Sequence, residues 1–470
     1  MSLRAELIAF LRESQLDLPE DFDDDTPLLS SGRLDSLALF NLVLWIEEKS
    51  GRAIDPSEVD VVGAWDSVRK ILGFLQGAPA EAAPARVGPQ LERGHWVVPY
   101  SPAYKDAVAE LQRGLWSSDV ERNRRYLEWK HEQNPYGSAP RIYLLLRGDE
   151  LIGMRGFYPS RWQVGAPSRE LDVLVADDLV LAEEHRSEGM VTALMQAALG
   201  DLRREGVEYV LNLSGGQVTV LGSLAMGWRS AGSLDPVERI ESGRRFGPSL
   251  RARAASLPVL GRIARATGLG ASAGSGPLAR FDARVGEILA AAGERVELSA
   301  TPRPKAMADL IGRIAYDGRI RHVRDETFFD WRFRNPLHEY RFLYLGGSEL
   351  VGYVVLKWSC AARPSTPRVQ IVDLEAATGS ALEALVEAAV EAGSFSELAT
   401  WQATRPRAVV DALARAGFEA AAGGGAVHHQ PRILVRCLAE ARPHQEWTLH
   451  GVPLLELSRW DMRMLYTMAG

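Results

Sequence analysis

The segment from Gln76 to Gln90, QGAPAEAAPARVGPQ, divides the 470-residue chain into two parts of different character. It is rich in Ala and Pro and nearly free of large apolar side chains, so it cannot bury enough surface to pack, and we expect an extended linker. A chain of this length fits about three domains of roughly 150 residues each. The predicted division is residues 1–77, a linker 78–94, a lobe 95–241, an inter-lobe segment 242–281 and a second lobe 282–470.

The composition narrows the class of protein. With 46% hydrophobic and 24% charged residues the chain is typical of a globular protein with true cores, and its net charge of −7 does not favour a nucleic-acid partner. Two cysteines, Cys360 and Cys437, are too few for a disulfide framework or a cysteine-based zinc site, and the scattered histidines predict no metal site. We find no signal-peptide pattern and no apolar run of 18 residues, so we expect a cytoplasmic protein without a transmembrane segment.

Residues 1–77 have apolar side chains at helical spacing, which predicts a small all-α bundle. A serine, Ser36, opens the helical pattern DSLALFNLVLWIEEKSG. Two interpretations of Ser36 are open at this point. It can cap the helix, or it can carry a phosphodiester, which the free N–H groups and the dipole of a helix N-terminus would favour.

The acidic approach DDDTPLLSSGRLDS, the helix after it and the closing WDSVRKILGFL together resemble acyl carrier proteins. The resemblance covers the first 75 or so residues and implies a four-helix carrier bundle. It implies covalent 4′-phosphopantetheine on Ser36. It also implies two protein partners, a phosphopantetheinyl transferase and a synthetase or synthase that loads the acyl group.

Residues 95–241 alternate strand and helix patterns, which predicts a mixed α/β fold. RIYLLLRGDELIGMRGFYPSRWQVG reads as two strands around a turn, and LDVLVADDLVLAEEH is a further strand. The turn HRSEGMVTAL then opens an amphipathic helix, and VEYVLNLSG is the next strand. A tight glycine-containing turn at a helix N-terminus offers backbone N–H groups to a pyrophosphate.

The run from Arg186 to Val191, RSEGMV, resembles the R/Q-x-x-G-x-G/A acyl-CoA loop of GCN5-related N-acetyltransferases (GNAT). Val191 stands where that family usually has a small residue. The resemblance implies binding of acetyl-CoA or another acyl-CoA, and attack of an amine on a thioester. The residues that it places at the acyl donor are Leu179, Val180, Leu181, Arg186, Ser187, Glu188, Gly189, Met190, Val191 and Thr192.

Four polar residues are candidates for the proton transfers of this chemistry. Asp177 and Asp178 lie on the strand before the loop, and Asp178 is the predicted base. Since neighbours on a strand point to opposite sides, we expect one of the two to face the cleft. Tyr209 and Asn212, on the next strand, are weaker candidates for an acid or a positioning group.

The third part of the chain repeats features of the second. YLEWKHEQNP (Tyr126 to Pro135) resembles FFDWRFRNP (Phe328 to Pro336) with a one-residue gap, and the turns RGDELIG and GGSELVG follow in the same order. No Arg-x-x-Gly loop follows in this part, where ATGSA precedes the helix instead. We therefore predict a second, degenerate GNAT-like lobe, so that the whole chain is a carrier bundle followed by tandem mixed α/β GNAT-like lobes.

Residues 242–280 contain seven arginines and no acidic residue. This segment is either a solvated linker or a docking surface for the acidic carrier module, which it would attract by opposite charge.

Two functions remain open from the sequence. The first is an N-acyltransferase that moves an acyl group between a phosphopantetheine thioester, on its own carrier or on CoA, and a small-molecule amine in a biosynthetic thiotemplate pathway. In that case the carrier holds either the acyl donor or an aminoacyl acceptor. The second is a non-catalytic carrier or scaffold whose GNAT-like lobes only bind partners.

Overall fold

The computed structural model describes residues 2–14, 22–29, 31, 33–34, 36–51, 54, 59, 61–77, 94–185, 189–213, 217–240, 284–359, 369–391, 397–421, 431–439 and 442–468. The predicted linker from residue 78 and the arginine-rich segment 242–281 lie outside these ranges, except for Gly94. Within the described ranges, no helix is both long and apolar enough to span a membrane.

The helices, in chain order, are α1 Leu3–Glu13, α2 Ser36–Ser50, α3 Val61–Trp65, α4 Val68–Leu75, α5 Lys105–Leu111, α6 Val120–Leu127, α7 Met190–Arg204, α8 Gln217–Ala225, α9 Pro304–Arg313, α10 Glu326–Arg332, α11 Gly379–Glu391 and α12 Arg407–Arg415. A π-helical turn, Glu128–Glu132, continues α6.

The strands are β1 His95–Pro99, β2 Arg141–Arg147, β3 Glu150–Val164, β4 Arg169–Leu181, β5 Tyr209–Asn212, β6 Arg229–Ser233, β7 Pro236–Ile240, β8 Ile288–Ala291, β9 Glu294–Ser299, β10 Arg321–His322, β11 His338–Gly346, β12 Leu350–Ser359, β13 Val369–Ala376, β14 Glu397–Trp401, β15 Glu419–Ala420, β16 Arg432–Cys437, β17 Thr448–Leu449 and β18 Val452–Pro453.

The chain forms two compact units. Unit 1 comprises residues 1–162, 171–233 and 426–459, and unit 2 comprises residues 163–170, 234–425 and 460–470. Helices and a large mixed sheet occur in both units, so the predicted multidomain α/β fold is confirmed.

Helices α1–α4 occupy the N-terminal part of unit 1, where apolar side chains at helical spacing are buried. Leu7, Leu42, Ile46, Trp65 and Ile71 are each fully buried in this core. Side-chain oxygens cap two of the helices, since Ser2 accepts from the backbone N–H of Ala5 and Ser67 from that of Lys70. That these helices form a carrier module stays a prediction.

The sheet of unit 1 has the order β1-β2-β3-β4-β5-β16-β6. Side chains alternate between its two faces. Ile142, Leu144, Met154 and Val180 pack with Val108 of α5 and Leu127 of α6. Tyr143, Leu145, Phe157 and Leu181 belong instead to the cluster that contains the buried side chains of α7.

The sheet of unit 2 has the order β15-β7-β14-β13-β12-β11-β9-β8, and α11 packs on it through an almost wholly apolar face. Two strands lie in a different unit from the one that the sequence-based division predicts. β16 falls in the predicted second lobe, 282–470, and β7 falls in the predicted first lobe, 95–241. β16 pairs with β5 of unit 1, whereas β7 pairs with β14 of unit 2. Backbone hydrogen bonds between strands far apart in sequence decide these positions, and side-chain patterns along one strand do not encode such pairing.

The sequence repeat corresponds to a repeated local structure. The hairpins β2–β3 and β11–β12 both have a register shift close to their turn, after the pairs Leu145–Gly153 and Leu345–Gly352. Asn134 accepts a hydrogen bond from the N–H of Tyr136, and Asn335 accepts one from the N–H of Leu337, both at 2.9 Å. These shared turns and shifts support the predicted internal duplication.

The one-residue gap in the repeat has a structural counterpart. The first copy contains the π-helical turn Glu128–Glu132, in which the N–H of Gln133 donates to the carbonyl of Glu128 at 2.8 Å. The second copy is a regular α-helix, α10. A π turn closes over one residue more than an α turn, so it accommodates the extra residue of the first copy.

The two asparagines of the repeat predict a paired loss of stability. Asn134→Ala leaves the buried Lys130 and Pro159 carbonyls without their side-chain donor and should lower the free energy of unfolding by about 1–3 kcal/mol. Asn335→Ala should cost a similar amount. Chemical denaturation followed by tryptophan fluorescence measures both. Gln133→Ala, at an exposed position beside Asn134, is the control and should change the free energy of unfolding by less than about 0.5 kcal/mol.

Candidate functional site

A buried lysine lies between two aspartates of strand β4 in unit 1. The Lys130 Nζ lies 2.7 Å from Asp177 Oδ2 and 2.9 Å from Asp178 Oδ2. The side chains of Lys130 and Asp178 are fully buried, and that of Asp177 is 7% exposed. Charges at this depth require partners, because water cannot solvate them.

Both carboxylates reach the same ammonium because the strand is irregular at this point. Asp178 has a left-handed backbone, with φ of 54°, which is uncommon for a residue other than glycine. Asp177 and Asp178 therefore do not point to opposite faces, as strict alternation would have required. Such local backbone strain persists only where surrounding contacts hold it, and it concentrates at functional sites.

Asp178 has two further partners. The indole Nε1 of Trp116 donates to Asp178 Oδ1 at 2.9 Å, and His131 Nε2 lies 2.8 Å from Asp178 Oδ2. Gly156 on β3 leaves room for this arrangement, since a Cβ there would lie 3.1 Å from both Asp178 Oδ2 and His131 Cε1. Both oxygens of Asp178 are thus engaged by donors.

The π-helical turn sets the position of Lys130 and His131. It follows α6, whose N-cap residue Asp119 accepts hydrogen bonds from the N–H groups of Glu121 and Arg122. Asn134 closes the turn by donating to the carbonyl of Lys130. Both cluster residues therefore lie on the side of the sheet that α5 and α6 cover.

Aromatic rings surround the ammonium of Lys130. Its Nζ lies 5.6 Å from the ring centroid of Trp116, 5.2 Å from that of Tyr126 and 5.1 Å from that of Tyr158. Ring faces attract a cation and stabilise it when it is desolvated. The rings and the two carboxylates together compensate for the loss of water around Lys130.

Burial and charge act in opposite directions on these groups. Burial by itself would raise the pKa of Asp178, but the charge of Lys130 and the hydrogen bond from His131 hold that pKa well below its usual range. Burial would lower the pKa of Lys130, but the two aspartates keep it above its ordinary value. For His131 burial is the larger effect and lowers the pKa, although Asp178 opposes it.

Arg155, on β3, adds a second buried cation near the same carboxylates. Burial lowers the pKa of Arg155 to about 10, while the charges of Asp177 and Asp178 act to raise it. Its guanidinium carbon lies 5.5 Å from the ring centroid of Phe157. At neutral pH the cluster therefore combines two carboxylates with two cations.

A comparison with known families bears on this region. Residues 105–222 match the Acetyltransferase (GNAT) family. The chain contains a GNAT-family domain. The matched range begins at α5 and ends within α8, so it includes the Lys130 cluster, β4, α7 and β5 of this GNAT domain.

Three solved structures are similar to this chain, and in each case the similarity covers 73% of this chain and 73% of the other protein. They are a GCN5-related N-acetyltransferase from Anabaena variabilis (11% identity, TM-score 0.46), a conserved protein of unknown function and probable N-acyltransferase from Enterococcus faecalis V583 (12%, 0.46) and Eis1 from Mycobacterium abscessus (15%, 0.40). Among curated protein sequences none matches the chain significantly.

The predicted donor-binding residues of the GNAT domain lie at the end of β4 and the start of α7. Arg186, Ser187 and Glu188 lie outside the described residues. Gly189, at the N-cap of α7, has a left-handed φ of 68°, which favours glycine. Val191 packs against the apolar cluster of unit 1, so its branched side chain contributes to the core.

The other donor-binding candidates flank this loop. Leu179 and Leu181 pack with the α7 cluster, Val180 packs with the α5–α6 cluster, and Met190 and Thr192 lie in the first turn of α7. This alternation is the one expected of a strand that runs directly into the loop. That these residues bind an acyl donor stays a prediction.

The catalytic candidates on β5 differ in their distance from Asp178. Parallel pairing joins Leu174 to Val210 and Val175 to Leu211. Tyr209 is therefore level with residue 173, roughly 16 Å along the sheet from Asp178 at the usual rise per residue. Its hydroxyl accepts a hydrogen bond from Arg442 Nη1 at 2.8 Å. This placement does not favour a role for Tyr209 as the acid.

Asn212, at the other end of β5, is buried and pairs through its backbone with Leu434 of β16. It is the β5 candidate nearer to the level of Asp178. Lys130, His131 and Trp116 were not among the candidates. The repeated motif YLEWKHEQNP contained the signal, because it places Lys and His within an otherwise apolar helical face.

The second lobe has an aspartate at the matching point of its own sheet. Asp373 lies three residues after the β13 residue Gln370, which pairs with β14, as Asp178 lies three after Val175. Its partners are different, namely Tyr353 Oη at 2.7 Å and the guanidinium groups of Arg324 and Arg463 at 3.2 Å. Phe333 stands at the position that matches His131.

Two arginine side chains also donate hydrogen bonds to the backbone beside Asp373. The carbonyl of Leu374 accepts from Arg405 Nη2 at 2.8 Å and from Arg463 Nη1 at 2.9 Å. Two arginine donors use both lone pairs of the Leu374 carbonyl, so this carbonyl cannot accept a hydrogen bond from an amide group of a bound ligand. This supports the prediction that the second lobe is degenerate.

Removal of the cation from the Lys130 cluster should destabilise the protein strongly. Lys130→Met removes the ammonium that pairs with both buried carboxylates and should lower the free energy of unfolding by about 3–5 kcal/mol at neutral pH. This loss of stability should become smaller below about pH 4. The pKa of Asp178 is lower in the folded than in the unfolded state, so its ionised form contributes stability only at pH values where the unfolded carboxyl is also ionised.

Denaturation curves at pH 7 and pH 3 test this expectation. Lys305→Met, at a lysine whose side chain is 72% exposed and pairs with Asp309, is the matched control and should leave stability unchanged at both pH values. A similar effect of the two substitutions at pH 7 would contradict the assigned role of Lys130.

Proposed function

We propose that the protein is an N-acyltransferase that moves an acyl group from a phosphopantetheine thioester on Ser36 to an amine, with the reaction taking place in the GNAT domain. The family match supports acyl transfer in general. The delivery of the acyl group by the chain's own N-terminal helices is the finer part of the proposal. The observation that carries it is the contact between those helices and the GNAT domain.

Two N-terminal helices contact α8 of the GNAT domain. Helix α2, which begins at Ser36, packs against α8, and α3 contacts α8 as well. Val220, Leu221 and Leu224 of α8 belong to the same apolar cluster as Leu39 and Val43 of α2. Apolar packing therefore joins the helical bundle and the GNAT domain within unit 1.

The end of the bundle that contains Ser36 is the end near α3. The N–H of Leu34 donates to the carbonyl of Leu28, and the N–H of Leu28 donates to the carbonyl of Asp66. The carboxylate of Asp66, the residue after α3, also accepts from the N–H of Leu29 at 2.9 Å. These bonds tie the approach to Ser36 to the C-terminal end of α3.

The GNAT domain presents α8 at the edge of its sheet where an acyl donor would bind. β4 and β5 are parallel, so their C-terminal ends meet at one edge. The predicted donor loop follows β4, and α8 follows β5. A carrier bundle that packs on α8 would have its pantetheine arm close to the donor loop.

The reaction follows from the chemistry of the two groups. The amine nitrogen bonds to the thioester carbonyl carbon, the tetrahedral intermediate collapses, and the carbon–sulfur bond breaks. The amine loses a proton and the thiolate gains one, so an amide and free pantetheine thiol result. Preorganised backbone N–H groups would stabilise the negative oxygen of the intermediate.

Ser36 is expected to accept a phosphopantetheine group. Incubation of the full chain with a phosphopantetheinyl transferase and CoA should raise its intact mass by one phosphopantetheine, and peptide mapping should place the group on Ser36. Ser36→Ala is the control and should show no increase. An unmodified wild-type chain would exclude the carrier part of the proposal.

Transfer from the loaded arm should occur within one chain. With acyl-loaded protein and a panel of primary amines, loss of the acyl group should be first order and independent of protein concentration. Arg186→Ala should slow it about 10- to 100-fold, the effect of losing one charge-assisted hydrogen bond. A mixture of acyl-loaded Arg186→Ala protein with Ser36→Ala protein at about 10 μM should transfer far more slowly than the wild type, because tethering supplies effective concentrations of about 1 mM.

The same mass measurements separate the alternatives. Gain of an acetyl group on aminoacyl-loaded Ser36 in the presence of acetyl-CoA would make the carrier the acceptor. A loaded chain that stays unchanged with every amine and with acetyl-CoA would favour the scaffold function. Salt dependence of the rate would test the arginine-rich segment, since apolar docking on α8 should not respond to ionic strength.

A further inference from the structure

Two nitrogens of the Lys130 cluster, His131 Nδ1 and Arg155 Nε, have no hydrogen-bond partner in the described structure, and only the imidazole nitrogen can accept a proton. His131 is 3% exposed, and its Nδ1 is buried without a hydrogen bond. Buried polar atoms of native proteins nearly always have a partner, so an exception needs an explanation. A substrate group or a water molecule that hydrogen-bonds to Nδ1 in the working enzyme is such an explanation.

The other ring nitrogen decides what Nδ1 can do. His131 Nε2 lies 2.8 Å from Asp178 Oδ2, and Asp178 is ionised because its pKa is lowered by its cationic neighbours. A carboxylate can only accept, so Nε2 carries the proton and donates. The neutral ring then has a lone pair on Nδ1, which can accept a proton.

The position of the pair fits the reaction. Pairing between β4 and β5 joins Leu174 and Val175 to their partners, and Asp178 lies three residues farther on. This point is close to the C-terminal edge of the sheet, toward the predicted donor loop. His131 reaches it from the side of the sheet that α5 and α6 cover, and Gly156 permits the close approach.

We propose that His131 is the general base of the acyl transfer, and that Asp178 is a positioning residue that orients its ring. This inference rests on the proposed function. It assigns the proton transfer, predicted for Asp178 from the sequence, to the neighbouring imidazole.

The proposed step balances in atoms and charge. As the amine nitrogen bonds to the thioester carbon, one of its protons passes to His131 Nδ1, and the resulting imidazolium is stabilised by the carboxylate of Asp178. When the carbon–sulfur bond breaks, the electron pair stays on sulfur. The Nδ1 proton then passes to the thiolate, which restores neutral His131 and releases the thiol.

The charged groups around His131 come from three elements. Lys130 precedes it on the π-helical turn, Asp177 and Asp178 face it from β4, and Arg155 lies on β3. Among them, Asp178 stabilises the protonated ring and Lys130 opposes it. Burial adds to the effect of Lys130, so the ring is neutral near pH 7.

The pH dependence of transfer tests the role of His131. In the wild type, the rate of acyl loss from Ser36 should fall only below about pH 6.5, because the base has a lowered pKa. His131→Asn, which keeps a donor for Asp178, should reduce the rate about 10²- to 10⁴-fold and remove this acid limb. His131→Phe, the residue of the second lobe, should behave in the same way.

Two controls separate loss of the base from loss of folding or of donor binding. Thermal unfolding of each variant shows whether the domain is intact, and CoA binding by calorimetry should be unchanged if His131 acts on the proton and not on the donor. His338→Asn replaces a buried histidine of the second lobe and should leave the rate and its pH profile unaltered.

These experiments distinguish failure of the His131 assignment from failure of the proposed acyl transfer. A wild-type chain that transfers, together with a folded His131→Asn variant that retains the rate and the acid limb, overturns the assignment of the base while acyl transfer stands. An equal loss in His131→Asn and His338→Asn also overturns it. Failure of the wild type to lose its acyl group from Ser36 rejects the proposed function itself.

Discussion

The ion pairs of Lys130 with Asp177 and Asp178 are the interaction on which the site depends. A fully buried ammonium in contact with two carboxylates is tolerated only if every member of the cluster has partners. Trp116, Tyr126 and Tyr158 supply ring faces, and His131 supplies a further donor. The cluster fixes the irregular end of β4 against the π-helical turn, and the predicted donor loop follows that end.

The same fold element has different chemistry in the two halves of the chain. Asp178 and Asp373 occupy matching points of their sheets, and both have a lowered pKa because cations surround them. In the first half the neighbours are a lysine and a histidine with an unpartnered nitrogen. In the second half they are arginines, and Arg405 and Arg463 also bind the adjacent strand carbonyl. The matching point thus has a buried, unpartnered acceptor nitrogen on one sheet and arginine donors on the other.

The α8 helix joins the GNAT domain to the N-terminal helices. Its sequence, QVTVLGSLA, has no charged residue, so contact with α2 and α3 is made by apolar side chains. The acidic side chains of the bundle and the arginine-rich segment had suggested an electrostatic contact. Apolar contact explains instead why α2 is buried on more than one side, with Leu39, Leu42, Val43, Trp45 and Ile46 all buried.

The sequence by itself determined the local elements, because periodicity and turn residues are local properties. The helices of residues 1–77, the hairpins of the repeat and the glycine at the start of α7 follow from such patterns, as does the candidacy of Asp177 and Asp178. Only the tertiary structure decided that β16 completes the sheet beside β5, that one extra residue becomes a π turn, and that Lys130 and His131 meet Asp178. Those outcomes depend on backbone pairing between distant segments and on the burial of charge, and neither is expressed in the order of neighbouring residues.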